Sequence, residues 1–179
     1  HFENIGNTSA LDVFVNDTLE SSLDLSTLKV LSSNGTFVPL HEGETINITE
    51  KWTVTLQNRT ISWSLLGINL EPNATGELLF SVKPNQGLPS GTEIRNNANI
   101  RFETFETITT DNTLNIIDAV PPTSKVNPLP NKTTQNFTIS WSGTDAIGEI
   151  DFYTIFASVD GGGFVPIIYM TKENNATVT

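Results

Sequence analysis

Cysteine is absent from the 179 residues. That excludes thiolate metal sites, a cysteine nucleophile and any disulfide framework, so a fold made outside the cell must rest on burial and strand pairing alone. Only two histidines occur, His1 and His41, and there is no Gly-x-Ser-x-Gly turn. Neither a serine triad nor a zinc site is legible, and no enzyme is expected. Nine basic residues face 20 acidic ones, a net charge of −11. Such a balance argues against nucleic acid and anionic lipid as partners, because both need a cationic face. No apolar run approaches the roughly twenty residues of a membrane span. The opening His1-Phe2-Glu3-Asn4 lacks the basic and apolar regions of a signal peptide. The chain is therefore expected to be a piece of a longer, exported protein.

Asparagine and threonine, by contrast, are abundant. Nine Asn-x-Ser/Thr sequons occur, at Asn7, Asn16, Asn34, Asn47, Asn58, Asn73, Asn131, Asn136 and Asn175, eight of them ending in Thr and none with a central proline. Random placement of this composition gives about four, so the surplus points to N-linked glycans and a secreted or cell-surface location. Placement agrees with that. Asn47 and Asn136 fall on the polar register of alternating runs, Asn16 opposes Val13 and Val15, and Asn34 and Asn73 lie in turn contexts.

Short alternating segments recur at Leu11–Val15, Leu28–Leu31, Trp52–Leu56, Ile61–Leu65, Leu78–Lys83, Ile94–Phe102, Phe137–Trp141, Tyr153–Val159 and Phe164–Ile168. Turn-forming residues separate them, as in Ser33-Asn34-Gly35, Gln57-Asn58-Arg59 and Asp160-Gly161-Gly162-Gly163. This is the rhythm of an all-β sandwich, with no helical stripe. Consecutive prolines in Ile117-Asp118-Ala119-Val120-Pro121-Pro122 mark a stiff connector. The expected organisation is two tandem immunoglobulin- or fibronectin-like β-sandwich domains, residues 1–118 and 123–179, joined by a linker at 119–122. The second has too few strands for a complete sandwich. Trp141, Tyr153 and Ile155 are expected to lack an opposing layer unless the chain continues or a neighbour donates a strand.

Phe2-Glu3-Asn4-Ile5-Gly6-Asn7, then Ala10-Leu11-Asp12-Val13-Phe14-Val15-Asn16-Asp17-Thr18-Leu19, resembles the signature of the conserved-repeat β-sandwich of bacterial and archaeal surface proteins. Gly87-Leu88-Pro89-Ser90-Gly91-Thr92 and Asn97-Ala98-Asn99-Ile100-Arg101-Phe102 are similar to the closing half of such repeats. After the prolines, Phe137-Thr138-Ile139-Ser140-Trp141-Ser142-Gly143 resembles the opening of a fibronectin type III-like module. The resemblance implies a structural unit reused in many contexts and no particular chemistry.

Other candidate chemistry is sparse. A copper-binding brace of His1 and His41 needs a free terminal amine, and His41 reads more simply as a turn residue. Glycoside hydrolysis needs two carboxylates across a cleft, and 20 acids nominate too many pairs to choose one. Trp52, Trp63 and Trp141 would stack on sugars if exposed, but Trp52 and Trp141 alternate with apolar residues and read as core. The remaining cofactor reading is calcium held by Asp111, Asp118, Asp145 and Asp151, an oxygen-rich set suited to a hard cation. Gly161-Gly162-Gly163 is a hairpin loop, not a phosphate loop. The functional expectation is a structural segment of a glycosylated cell-surface, sheath or extracellular-filament protein, whose partners are neighbouring copies or other surface subunits. The alternative is an adhesin or a carbohydrate-binding accessory module of a larger secreted enzyme.

Overall fold

A computed structural model describes residues 1–103, 105–129, 131 and 136–179, and is all-β, with no helix among the described residues. Its described residues form two compact units: His1–Leu88 with Thr92–Ile117, and Pro89–Gly91 with Asp118–Thr179.

In the first unit β1 (Phe2–Glu3) and β2 (Val13–Thr18) precede β3 (Leu23–Leu31), β4 (Phe37–Pro39), β5 (Thr45–Asn47), β6 (Trp52–Gln57) and β7 (Thr60–Leu65). Then follow β8 (Thr75–Gly76), β9 (Phe80–Pro84), β10 (Glu93–Asn96), β11 (Ala98–Phe102), β12 (Ile108–Thr109) and β13 (Thr113–Ile116). Six strands form one antiparallel sheet in the order β12-β11-β2-β7-β6-β5, and β4-β3-β9 form another. Two short ribbons, β1-β8 and β10-β13, complete the unit.

Alternation decides which way each strand faces. In β2 Val13, Val15 and Asp17 point inward while Asn16 and Thr18 are exposed. The register then aligns Ile100, Val15, Trp63 and Val54 in one cross-strand row and Phe102, Val13, Leu65 and Trp52 in the next. Leu28, Val30 and Leu40 meet these rows from the facing layer, and the Trp63 and Phe80 rings lie 6.0 Å apart across the core. That is the sandwich the alternation implies, with the apolar faces turned toward each other.

Two local features fix the chain path. The β6–β7 hairpin turns on Asn58 and Arg59, both left-handed with φ of 50° and 65°. This pairing of positive φ values matches the right-handed twist of the strands, but it usually takes glycine at the second position. Arg59 is held there by its guanidinium, which donates to the carbonyls of Leu19, Glu20 and Leu23. At β1-β8, Phe2 pairs with Gly76, and a Cβ at that glycine would sit 2.2 Å from the Phe2 ring. The ring, which also meets Phe102 edge-on at 6.3 Å, occupies the space a side chain would need.

The second unit has β14 (Thr123–Val126), β15 (Phe137–Thr144), β16 (Tyr153–Ala157), β17 (Val165–Thr171) and β18 (Asn175–Val178). One sheet is β14-β15-β18 and the other is the β16-β17 hairpin. Pro89–Gly91 belong here, tied by the amide of Ala119, which donates to Ser90 Oγ at 2.7 Å. The expectation of an uncovered Trp141 is corrected. Trp141 is 3 % exposed, Ile155 is buried and Tyr153 half-buried, because the hairpin lays Ile155 and Ile168 against Ile139 and Trp141. The cover is thin, and it leaves Phe164 76 % and Tyr169 73 % exposed.

Candidate functional site

All nine sequon asparagines lie on the surface. Asn16 projects from β2 on the outer face of the six-stranded sheet, beside Ser62 and Asn99 in register. Asn47 closes β5 and Asn175 opens β18. Asn7 follows β1, Asn131 and Asn136 lie between β14 and β15, and the other three occupy turns. Those turns have definite geometry. Asn73, at φ 63°, is the third residue of a Glu71-Pro72-Asn73-Ala74 turn closed by the Ala74 amide on the Glu71 carbonyl at 3.0 Å, the type II pattern with proline second. Asn34 Oδ1 accepts from the Thr36 amide at 3.0 Å and the Thr36 hydroxyl at 2.6 Å. Both hydrogen-bond donors of the sequon threonine thus meet the side-chain oxygen of the asparagine that would be modified.

The outer face of the six-stranded sheet is otherwise a field of small polar groups. Asn16, Thr53, Thr55, Ser62, Ser64 and Asn99 line a shallow depression of ≈ 210 Å³. Arg101 closes one side, its guanidinium 4.3 Å above the Phe14 ring. The indoles do not contribute a sugar platform. Trp63 is 4 % exposed, Trp141 faces its own core, and half-buried Trp52 packs against the core of the first unit.

A larger apolar cleft of ≈ 590 Å³ opens on the first unit between the Phe2–Ala10 segment and the β11-β12 edge. Ile5, 84 % exposed, and Phe105 and Ile108 stand at it, with Glu3, Glu103 and Glu106 among its lining. Glu103 is fixed by the Leu11 amide, which donates to its Oε1 at 2.7 Å. β12 pairs only with β11, so its far side is a sheet edge among the described residues.

The four candidate calcium ligands have separate environments. Asp111 is exposed after β12; Asp118 Oδ1 accepts from the Val120 amide at 3.2 Å; Asp145 Oδ1 accepts from the Ile147 amide at 3.1 Å; and Asp151 lies 3.4 Å from Lys172 in an exposed ion pair. Asp118 and Asp145 therefore act as turn acceptors. Among the described residues no three His, Cys, Asp or Glu side chains converge on a metal-sized site. His1 and His41 are both exposed, and the His41 amide donates to Glu44 Oε2 in a turn.

One acid stood in the sequence only as part of the resemblance. Asp17 is buried on the inner face of β2, in a row with Ala98, Ile61 and Leu56. Burial pushes its carboxyl above the usual value of 3.8, and the hydrogen bond from Asn96 Nδ2, 2.8 Å to Oδ2, partly counters the rise. The signal was present in Val13-x-Val15-x-Asp17-x-Leu19, where an acid falls on the apolar register.

Fold and surface define a β-sandwich protein with a sequon-bearing exterior and an apolar cleft at a sheet edge. Residues 1–116 match DUF7619, a domain of unknown function, and the chain belongs to that family. No curated protein and no solved structure matches it.

Proposed function

We propose that the chain is a structural segment of a glycosylated cell-surface, sheath or extracellular-filament protein, in which the sandwiches act as spacers and meet neighbouring subunits without catalysis. The observation that carries the reading is the exposure of all nine sequon asparagines, including those within strands. The asparagines outside sequons include buried Asn4 and half-buried Asn96, Asn97 and Asn127, whereas every sequon asparagine is exposed. Glycans on these sites would shield sheet faces and hairpin tips from uncontrolled pairing and leave unglycosylated surface for specific contacts. The exposed Phe164 and Tyr169 of the β16–β17 hairpin supply such contacts, whereas the apolar cleft carries the sequon residue Asn7 in its wall. Burial of the indoles Trp63 and Trp141 gives the carbohydrate-binding alternative less support.

Intact-mass measurement of protein from its native source tests the reading. Glycan masses added to the polypeptide, mapped to several of the nine asparagines, are expected. A native mass equal to the bare chain would overturn it.

A further inference from the structure

Among the described residues, the inner face of the six-stranded sheet carries a single acid, and its surroundings are unusual. Asp17 is 4 % exposed, and only its Oδ2 has a donor, the amide of Asn96. The second carboxylate oxygen, Oδ1, and the side-chain amide oxygen of Asn96, its Oδ1, are both buried, and neither has a hydrogen-bond partner among the described residues. Two acceptor oxygens of one bonded pair are thus left without a donor. An orphaned buried acceptor destabilises a fold, and more so when it is ionised.

Both residues line one cavity of ≈ 410 Å³, shared with Asp111, His1 and the Trp63 ring, and with no lysine or arginine in its wall among the described residues. Lone pairs alone could be satisfied by a bound water. Charge balance asks for more. A water leaves the buried carboxylate uncompensated, and the second carboxylate in the same cavity deepens the negative potential on a chain of net charge −11. Carboxylate and amide oxygens are the donors a hard cation selects.

We propose that Asp17, Asn96 and Asp111 form a binding site for a hard divalent cation of the calcium type, with water completing its shell. The site retains Asp111 from the acids nominated in the sequence and leaves Asp118, Asp145 and Asp151 to their turns and ion pair. With few protein oxygens, its affinity falls on the order of 10⁻⁴–10⁻³ M, the range of extracellular calcium modules. The inference is independent of glycosylation and of assembly, since every residue belongs to one unit of one chain.

Terbium titration of the chelator-treated full chain tests it, because Trp63 lines the same cavity and can sensitise the bound lanthanide. Saturable emission on tryptophan excitation, displaced by calcium, is expected. It should vanish in Asp17→Asn, weaken about tenfold in Asp111→Asn and persist unchanged in Asp118→Asn. Asp111 is exposed, so its replacement tests the site even if the Asp17 variant misfolds. Absence of sensitised emission, or emission as strong in Asp111→Asn as in the parent, overturns the proposal and leaves the two oxygens to a water or a shared proton.

Discussion

Among the described residues, seventeen buried apolar side chains form the core of the first unit, against three, Ile139, Trp141 and Ile155, in the second. Both are built from the same kind of alternating strand, so local sequence does not account for the contrast. What differs is how many strands turn an apolar face to a common interior. Six-stranded and three-stranded layers bury rows of Val, Leu, Ile and Trp on both sides, whereas three strands covered by a hairpin bury one row and leave large side chains such as Phe156 and Phe164 exposed. Burial contributes roughly 25 cal/mol per Å² of apolar surface, so the second unit draws on few residues for most of its stability.

The largest expected effect is therefore at Trp141. Trp141→Ala removes the central member of a three-residue core and should cost about 3–5 kcal/mol, enough to unfold the second unit while the first stays folded. Denaturant titration followed by the fluorescence of Trp52 and Trp63 would show an intact first-unit transition; loss of both together would break the distinction. Leu56→Ala in the first unit sharpens it. The truncation should cost about 2–5 kcal/mol, yet sixteen buried neighbours remain, and hydrogen exchange should show the unit weakened but still cooperative.

Asp17→Asn is expected to act in the opposite direction. An amide at 17 has an N–H that can serve the orphaned Asn96 oxygen and carries no charge to desolvate, so stability in chelator at neutral pH should rise by about 1–2 kcal/mol. The pH dependence fixes the sign. A carboxyl whose folded pKa is raised binds its proton more tightly when folded; its stabilising contribution is full below 3.8 and is lost as pH rises through the folded value. Asp111 and His1 share the cavity. Subtracting the Asp17→Asn stability profile from that of the parent should show this contribution falling as pH rises; a flat difference would contradict the assignment.

Arg59→Ala should have a smaller effect, about 1–3 kcal/mol, from the loss of three guanidinium hydrogen bonds beside a left-handed residue. Arg59→Gly should recover part of the loss, because glycine adopts that conformation without strain. Equal thermal shifts in the two variants would show that the guanidinium alone matters.

The strands were legible because alternation is a strictly local signal. Val13 and Val15, Val54 and Leu56, and Ile61, Trp63 and Leu65 each declare a face without reference to the rest of the chain. The turns at Asn34, Asn58 and Asn73 were legible for the same reason. Pairing was not. Nothing within β2 says that it lies between β11 and β7, or that Pro89–Gly91 would join residues beyond Asp118, since both depend on contacts distant in sequence. The cover over Trp141 was missed because strands were counted against a complete sandwich, whereas the fold meets the need with one hairpin. The candidate cation site escaped because Asp17 and Asn96 are far apart in sequence, and of its members only Asp111 was among the acids nominated.

The contact of Phe2 with Gly76 has a consequence for comparing chains of this family. A ring at one position forbids a side chain at the other, so the two should vary together: members with glycine at position 76 should carry an aromatic at position 2, and members with a side chain at 76 should have a small residue at 2. This coupling joins the opening strand to a position more than seventy residues away, and it gives sequence alignment an anchor where the intervening loops differ in length. The double replacement Phe2→Ala with Gly76→Val would then be better tolerated than Gly76→Val alone, the signature of two positions that share one volume.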